Sequence, residues 1–229
     1  MTGWSAADIA IVTLSLKVAL AGTLVSLPVA ILVALALARG RFPGRTLLNA
    51  FVHLPLVLPP VVTGYLLLRT FGRQGLVGGA LESLLGVTFA FEWTGAALAA
   101  GVMGFPLMVR AIRLAIENID HRVEQAAATL GASPAWTVAT VTLPMALPGV
   151  LAGMVLAFAK ALGEFGATIT FVSNIPGETQ TLALAIYSFL QTPGGDAAAV
   201  RLVWLSVAIS FAALLASEAL ARRLDRRRE

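Results

Sequence analysis

The 229-residue chain contains no cysteine, only two lysines and two histidines, and charge on just 12% of its residues. Without cysteine there is no disulfide framework, no thiolate metal site and no cysteine nucleophile. The lysines, Lys17 and Lys160, follow Leu16 and Ala159. The Gly-Lys-Ser/Thr element that holds nucleotide phosphates in a Walker A loop is therefore missing, which excludes ATP hydrolysis by that route. His53 and His121 are too far apart in sequence and topology to indicate a metal site. A soluble domain carries about 25% charged residues. This chain, 58% hydrophobic, cannot cover a globule with polar groups. A water-soluble enzyme is excluded, and an integral membrane protein remains.

The apolar residues fall into long runs. A helix needs about 20 mainly apolar residues to cross the hydrocarbon core. Residues 18–38 and 46–68 are free of charge, 93–109 is shorter but strongly apolar, 145–171 holds one Lys and one Glu, and 202–217 extends to about 220 if Glu218 sits at the interface. The pattern predicts an all-α, polytopic membrane helical bundle in one domain, 1–229, with about five spans at roughly 11–38, 46–69, 92–113, 145–171 and 200–221. Arginines order it. Arg39, Arg41 and Arg45, then Arg110, Arg113 and Arg122, then Arg222, Arg223, Arg226, Arg227 and Arg228 all follow on one side, while the other receives Arg69 or Arg73 and Arg201. By the positive-inside rule the N-terminus is outside and the C-terminus cytoplasmic, with the terminal arginines an anchor on anionic lipid. Ala36-Leu37-Ala38 has the look of a signal-peptidase site, but the run before it is too long and lacks a basic start, so no cleavage is expected. Residues 179–190 are apolar but too short to span, and are expected to form an external or re-entrant helix.

Breaks and polar residues inside the spans are candidates for a pathway. Pro28 is expected to interrupt the first span; Pro55, Pro59 and Pro60 fall in the second, each deleting an amide donor. The freed carbonyls need cover from protein or a water-filled cavity, so the second span is either a packed kink or a bent helix lining a path, with Thr63 and Gly64 just beyond the break. Lys160 and Glu164, spaced i and i+4, are either a mutually neutralising pair or an anion-attracting group with its guard. Membrane-embedded enzymes need clustered nucleophiles, paired carboxylates or histidine-rich metal ligands. Only Glu164 lies clearly within a span, which disfavours that class.

The connection after the third span, roughly 114–144, is the most patterned. Asp120 reads as an N-cap, and Val123, Ala126, Ala127 and Leu130 recur at one helical face. Gly131 supplies a left-handed turn. Ser133 and Pro134 open a second helix that runs through Leu143 and Pro144 into the fourth span. Periodicity allows two placements: the alanine face enters another protein's cleft, or the segment folds back on its own bundle.

The string Gln125-Ala126-Ala127, Gly131, Val141, Leu143-Pro144 resembles the cytoplasmic EAA motif of ABC importer permeases with its spacing complete. Gln125 stands where the motif has glutamate, and the acid, Glu124, is one residue earlier. Along nearly the whole chain, residues 53–62, 163–179 and 191–195 resemble the molybdate branch of these permeases, and related sulfate and tungstate permeases share the Leu-Pro-Pro and Gly-Glu-Phe-Gly-Ala elements. The resemblance implies a type I ABC importer permease fold and a multi-pass subunit of the bacterial inner membrane. It also implies a homodimer, two cytoplasmic ATPase subunits that bind ATP and Mg, and an external, periplasmic oxyanion-binding protein. No cofactor or metal on this chain and no nucleic-acid partner are expected. The cargo it implies is molybdate, with sulfate, thiosulfate or tungstate as alternatives; a passive channel would leave the cytoplasmic segment unexplained. The ATPase-coupling residues would be Glu124, Gln125, Ala126, Ala127, Gly131, Leu143 and Pro144. Candidates for the path and gate are Pro59, Pro60, Thr63, Gly64, Lys160, Gly163, Glu164, Thr168, Thr170, Ser173 and Asn174.

Overall fold

The computed structural model describes residues 5–225, and side chains at 214 and 216–225 are not described. Arg226, Arg227 and Arg228 of the expected terminal cluster, and the side chains of Arg222 and Arg223, lie outside the described residues. Among the described residues the chain is helical: α1 Ala6–Arg39, α2 Arg45–Val57, α3 Pro60–Phe71, α4 Leu76–Leu85, α5 Trp93–Glu117, α6 His121–Thr129, α7 Pro134–Thr137, a π-turn Val138–Thr142, α8 Leu143–Leu162, α9 Gly166–Val172, α10 Leu182–Leu190 and α11 Asp196–Asp225.

Four of these helical stretches, α1, α5, Pro134–Leu162 and Asp196–Ala213, are long and apolar enough to cross a membrane, and the pair α2–α3 adds a fifth if it counts as one. At 25 residues α5 extends about 37 Å, comfortably more than the hydrocarbon core. Their directions alternate as a polytopic chain requires. Lys17 lies over Trp93 at 3.5 Å and Arg39 reaches the Ile119 carbonyl at 3.0 Å, so α1 and α5 run parallel. The chain between them, α2 to α4, must therefore return from one end of the bundle to the other.

The break expected in the second span, 46–69, is present: α2 and α3 are bent by 113° at Leu58 and Pro59. Pro59 and Pro60 have no amide hydrogen to continue the ladder, and Pro60 instead takes the first helical position of α3, where none is needed. Pro28, conversely, does not interrupt α1, which runs unbroken for 34 residues; one missing bond is tolerated in a helix held against α5 along its length. Finally, no single helix fills the expected fourth span, 145–171. Its helix begins already at Pro134, ends at Leu162, and α9 starts afresh at Gly166.

Small residues let α1 and α5 touch. A Cβ on Gly22 would sit 2.6 Å from the Ala97 carbonyl oxygen, so only glycine allows this approach. Beside the crossing, Val18, Ala19, Ala96, Ala100, Met103 and Phe171 form one buried cluster; further along, Ala30, Ala34, Leu37, Met108, Ile112 and Ile116 form a second. Helix α5 contributes to both and is the axis of the bundle. Helices α10 and α11 are tied to the start of α1 by Ile11, Leu182, Ala185 and Leu202, by the Leu182 amide donating to Ser15 Oγ at 2.7 Å, and by Arg201 beside Asp8 at 3.5 Å. The expected helix at 179–190 starts at Leu182, because the buried Thr179 hydroxyl accepts from the Ile175 amide at 2.9 Å and holds the preceding residues in a turn.

Candidate coupling segment and transport pathway

Helix α6 begins at Asp120, whose carboxylate accepts from the Arg122 amide at 2.9 Å. It ends in a Schellman arrangement, with Gly131 N–H donating to the Ala128 carbonyl at 3.0 Å and Ala132 N–H to that of Ala127 at 3.1 Å. Gly131 has φ +87° and open space where a side chain would be, so it is the backbone angle, not crowding, that calls for glycine. Ser133 Oγ accepts from the Trp136 amide, Pro134 takes the first turn, and the helix continues through the π-turn into α8. The expected helix, glycine turn and helix are all present.

The segment divides into two faces. Val123, Leu130 and Trp136 point away from the bundle, with Leu130 89% and Trp136 63% exposed. Gln125 and Ala126 are exposed as well. The opposite face is bonded down through Glu124. Its carboxylate meets Arg39 Nε at 3.2 Å, accepts from Thr142 Oγ1 at 2.8 Å and lies 3.5 Å from His121 Nδ1. Arg39 also donates to the Ile119 carbonyl at 3.0 Å and meets His121 Nε2 at 3.0 Å. So the acid two places before the alanine pair braces α6 against the ends of α1 and α8, while Gln125, in the motif's own position, faces outward. Arg39, counted in the sequence only as a topology charge, is the centre of this brace. It lies 85 residues from Glu124, and no local pattern could have paired them.

The pathway candidates gather at the crossing of α3 and α9. A Cβ on Gly64 would be 2.5 Å from the Ala167 carbonyl oxygen and 2.9 Å from Thr170 Cβ, and one on Gly166 would be 2.7 Å from Pro60 Cβ. Pro60, Gly64 and Thr170 are thus in one packed contact. Lys160 Nζ meets Glu164 Oε2 at 2.6 Å, and Glu164 Oε1 accepts from the Ala167 amide at 3.0 Å. The carboxylate, 3% exposed, therefore caps α9 as well as pairing with lysine. Thr170 bonds its own helix at the Gly166 carbonyl, 2.9 Å away, and Thr168 is buried in α9. Ser173 ends that helix at φ +63°, a region costly for a residue with a side chain, and Asn174 Oδ1 is buried with no partner among the described residues. Gly163 has an ordinary negative φ and open space around it, so nothing local requires glycine there.

Thr63 turns the other way, into a cavity of about 730 Å³ between α1, the α2–α3 bend and α5. Its lining is almost wholly apolar. Of the four hydroxyls on it, those of Ser26, Thr70 and Thr94 bond the carbonyls of Gly22, Leu66 and Thr88, while that of Thr63 has no partner among the described residues. Such a wall cannot replace the hydration of a dianion, and the cavity is unsuited to one.

Residues 26–229 match the family described as "Binding-protein-dependent transport system inner membrane component". The chain is 59% identical over 211 residues, 92% of each chain, to the molybdenum transport system permease protein ModB of Escherichia coli K12. It is 57% identical over 221 residues, 96% of each chain, to ModB of Haemophilus influenzae. Its fold is similar to a chain of a bacterial ABC transporter involved in the import of the acidic polysaccharide alginate, with a TM-score of 0.75 at 20% identity, covering 96% of this chain and 80% of that one. Four to five apolar helices of membrane-crossing length, an exposed helix–glycine–helix segment and these relatives lead to one conclusion: the chain belongs to the binding-protein-dependent transport system inner membrane components, the ABC importer permeases, which carry no ATPase site of their own.

Proposed function

We propose that two copies of this chain form the membrane path of a molybdate importer, driven by two cytoplasmic ATPase subunits that bind ATP and Mg and loaded by an external oxyanion-binding protein. The observation that carries the mechanism is the two-faced segment from Asp120 to Leu143. Its exposed face of Val123, Ala126, Leu130 and Trp136 is the docking surface for an ATPase cleft, and its braced face hands movement to α1 and α8 through Glu124 and Arg39. Leu143 and Pro144 join the segment to the span, and Ala127 lies against the Schellman turn.

In this reading the α6 end of the bundle is cytoplasmic and the N-terminus lies outside, as the arginines of the short connections favour. Closure of the ATPases draws the two coupling segments together, and the rigid bundles rock between inward-open and outward-open states. The path runs beside the α3–α9 crossing, where Pro59 and Pro60 redirect the chain and Thr168, Ser173 and Asn174 supply hydroxyl and amide dipoles. The 57–59% identity to molybdenum transport permeases over most of the chain favours molybdate as cargo.

The test is to reconstitute the permease with its own ATPase and binding protein in liposomes and compare molybdate, tungstate and sulfate. Molybdate is expected to stimulate ATP hydrolysis and accumulate inside. Stimulation by sulfate alone would reassign the cargo, and hydrolysis indifferent to every oxyanion would remove the reading.

A further inference from the structure

A second concavity, about 410 Å³, opens at the opposite end of the bundle from α6, between the end of α3 and the residues that lead into α5. Its polar lining is Tyr65, Arg69, Arg73 and Gln74, and its far wall is Ala90 and Phe91. Arg69 and Arg73 are one helical turn apart in sequence, and both side chains line the same space. Arg69 has no ion pair or hydrogen bond among the described residues. Arg73 Nε lies 3.6 Å from Glu82 Oε1 with its side chain 73% exposed, a screened pair that holds it only weakly. The other basic groups described at that end are engaged: Arg201 beside Asp8 at 3.5 Å, and Lys17 over Trp93 at 3.5 Å. Phe91, on the wall, has φ +65°, an uncommon angle for a bulky residue.

We propose that Arg69 and Arg73 form a receiving site for a small tetrahedral oxydianion at the external mouth of the permease. The inference rests on the orientation and importer role proposed above. Arginines are scarce on the external side of membrane proteins, and here two line one concavity with donors to spare. A guanidinium offers paired N–H groups that match two oxygens of such an anion. Since a water takes up about 30 Å³ of liquid volume, the space holds the anion with several waters still attached. It therefore takes the cargo weakly and releases it onward, as a path requires.

The experiment uses the purified permease–ATPase complex without binding protein and molybdate as the probe, in equilibrium dialysis at low ionic strength. Saturable binding in the millimolar range is expected, at least tenfold weaker in Arg69→Gln/Arg73→Gln and largely kept in Arg69→Lys/Arg73→Lys. Should the double variant fail to assemble, Arg69→Gln alone decides, because that guanidinium has no partner to lose. Binding equal in wild type and the Gln variants, or no saturable binding, overturns the site. The concentration of binding protein that half-maximally stimulates ATP hydrolysis is expected to stay the same; a rise in it with unchanged molybdate binding would make the arginines a protein-docking surface and overturn the proposal. Loss of oxyanion-stimulated hydrolysis in the wild type would be the separate failure of the importer reading.

Discussion

Glu164 shows how a membrane-buried charge is held. Its two oxygens have separate occupations, one on Lys160 and one on the Ala167 amide, so the residue both neutralises a cation and starts α9 after the break. The sequence revealed the i, i+4 pair but not the cap, because a cap depends on where the helix stops and α8 was expected to run on to 171. Lys160→Gln is predicted to cost about 1–3 kcal/mol in unfolding of the detergent-solubilised protein, less than the 3–5 of a fully buried pair, since the lysine side chain is 31% exposed. Glu164→Leu should cost more, losing the cap as well. The KM for uptake is expected to stay at the wild-type value in Lys160→Gln; a several-fold rise would place the lysine on the path instead.

Among the elements, the coupling segment was the most legible, because caps, a left-handed glycine and a proline at the first turn are all local chemistry. The bent α2–α3 pair was only half legible. Its prolines marked a break, but the 113° angle arises from packing of α3 on α9 through Gly64 and Gly166, residues a hundred positions apart. Helix α4 was not anticipated, being too short to span and too apolar to read as a loop. Gly131 gives a clean test of the segment as a transmitter. A side chain there meets nothing within 4 Å, so any effect acts through the backbone. Gly131→Val is predicted to lower binding-protein-stimulated ATP hydrolysis severalfold with normal insertion, while Gly131→Asn, which tolerates the left-handed region at a cost of about 1 kcal/mol, keeps most of it. Undiminished uptake in the valine variant would show that this turn does not transmit.

At the scale of the molecule, the runs of apolar residues made the long apolar helices and their order legible. What holds the crossings to one another was not, since Arg39–Glu124, Ser15–Leu182 and Asp8–Arg201 each join distant positions. The Arg39–Glu124 brace is predicted to govern how tightly hydrolysis is tied to movement. Glu124→Ala strands Arg39 and the buried Thr142 hydroxyl, at about 1–3 kcal/mol, and the complex should then hydrolyse more ATP per anion carried; an unchanged ratio in proteoliposomes would deny the brace that role. The π-turn Val138–Thr142 adds one more relation. It accommodates one residue more than an α-helix would, about 100° of rotation at 3.6 residues per turn, closed by the Leu143 amide on the Val138 carbonyl. The shaft from Pro134 to Leu162 thus carries a built-in phase offset. The direction in which Trp136 faces is set not by its own neighbours but by a residue count farther along, so a single deletion within that turn would re-aim the outward face while leaving every residue on it in place.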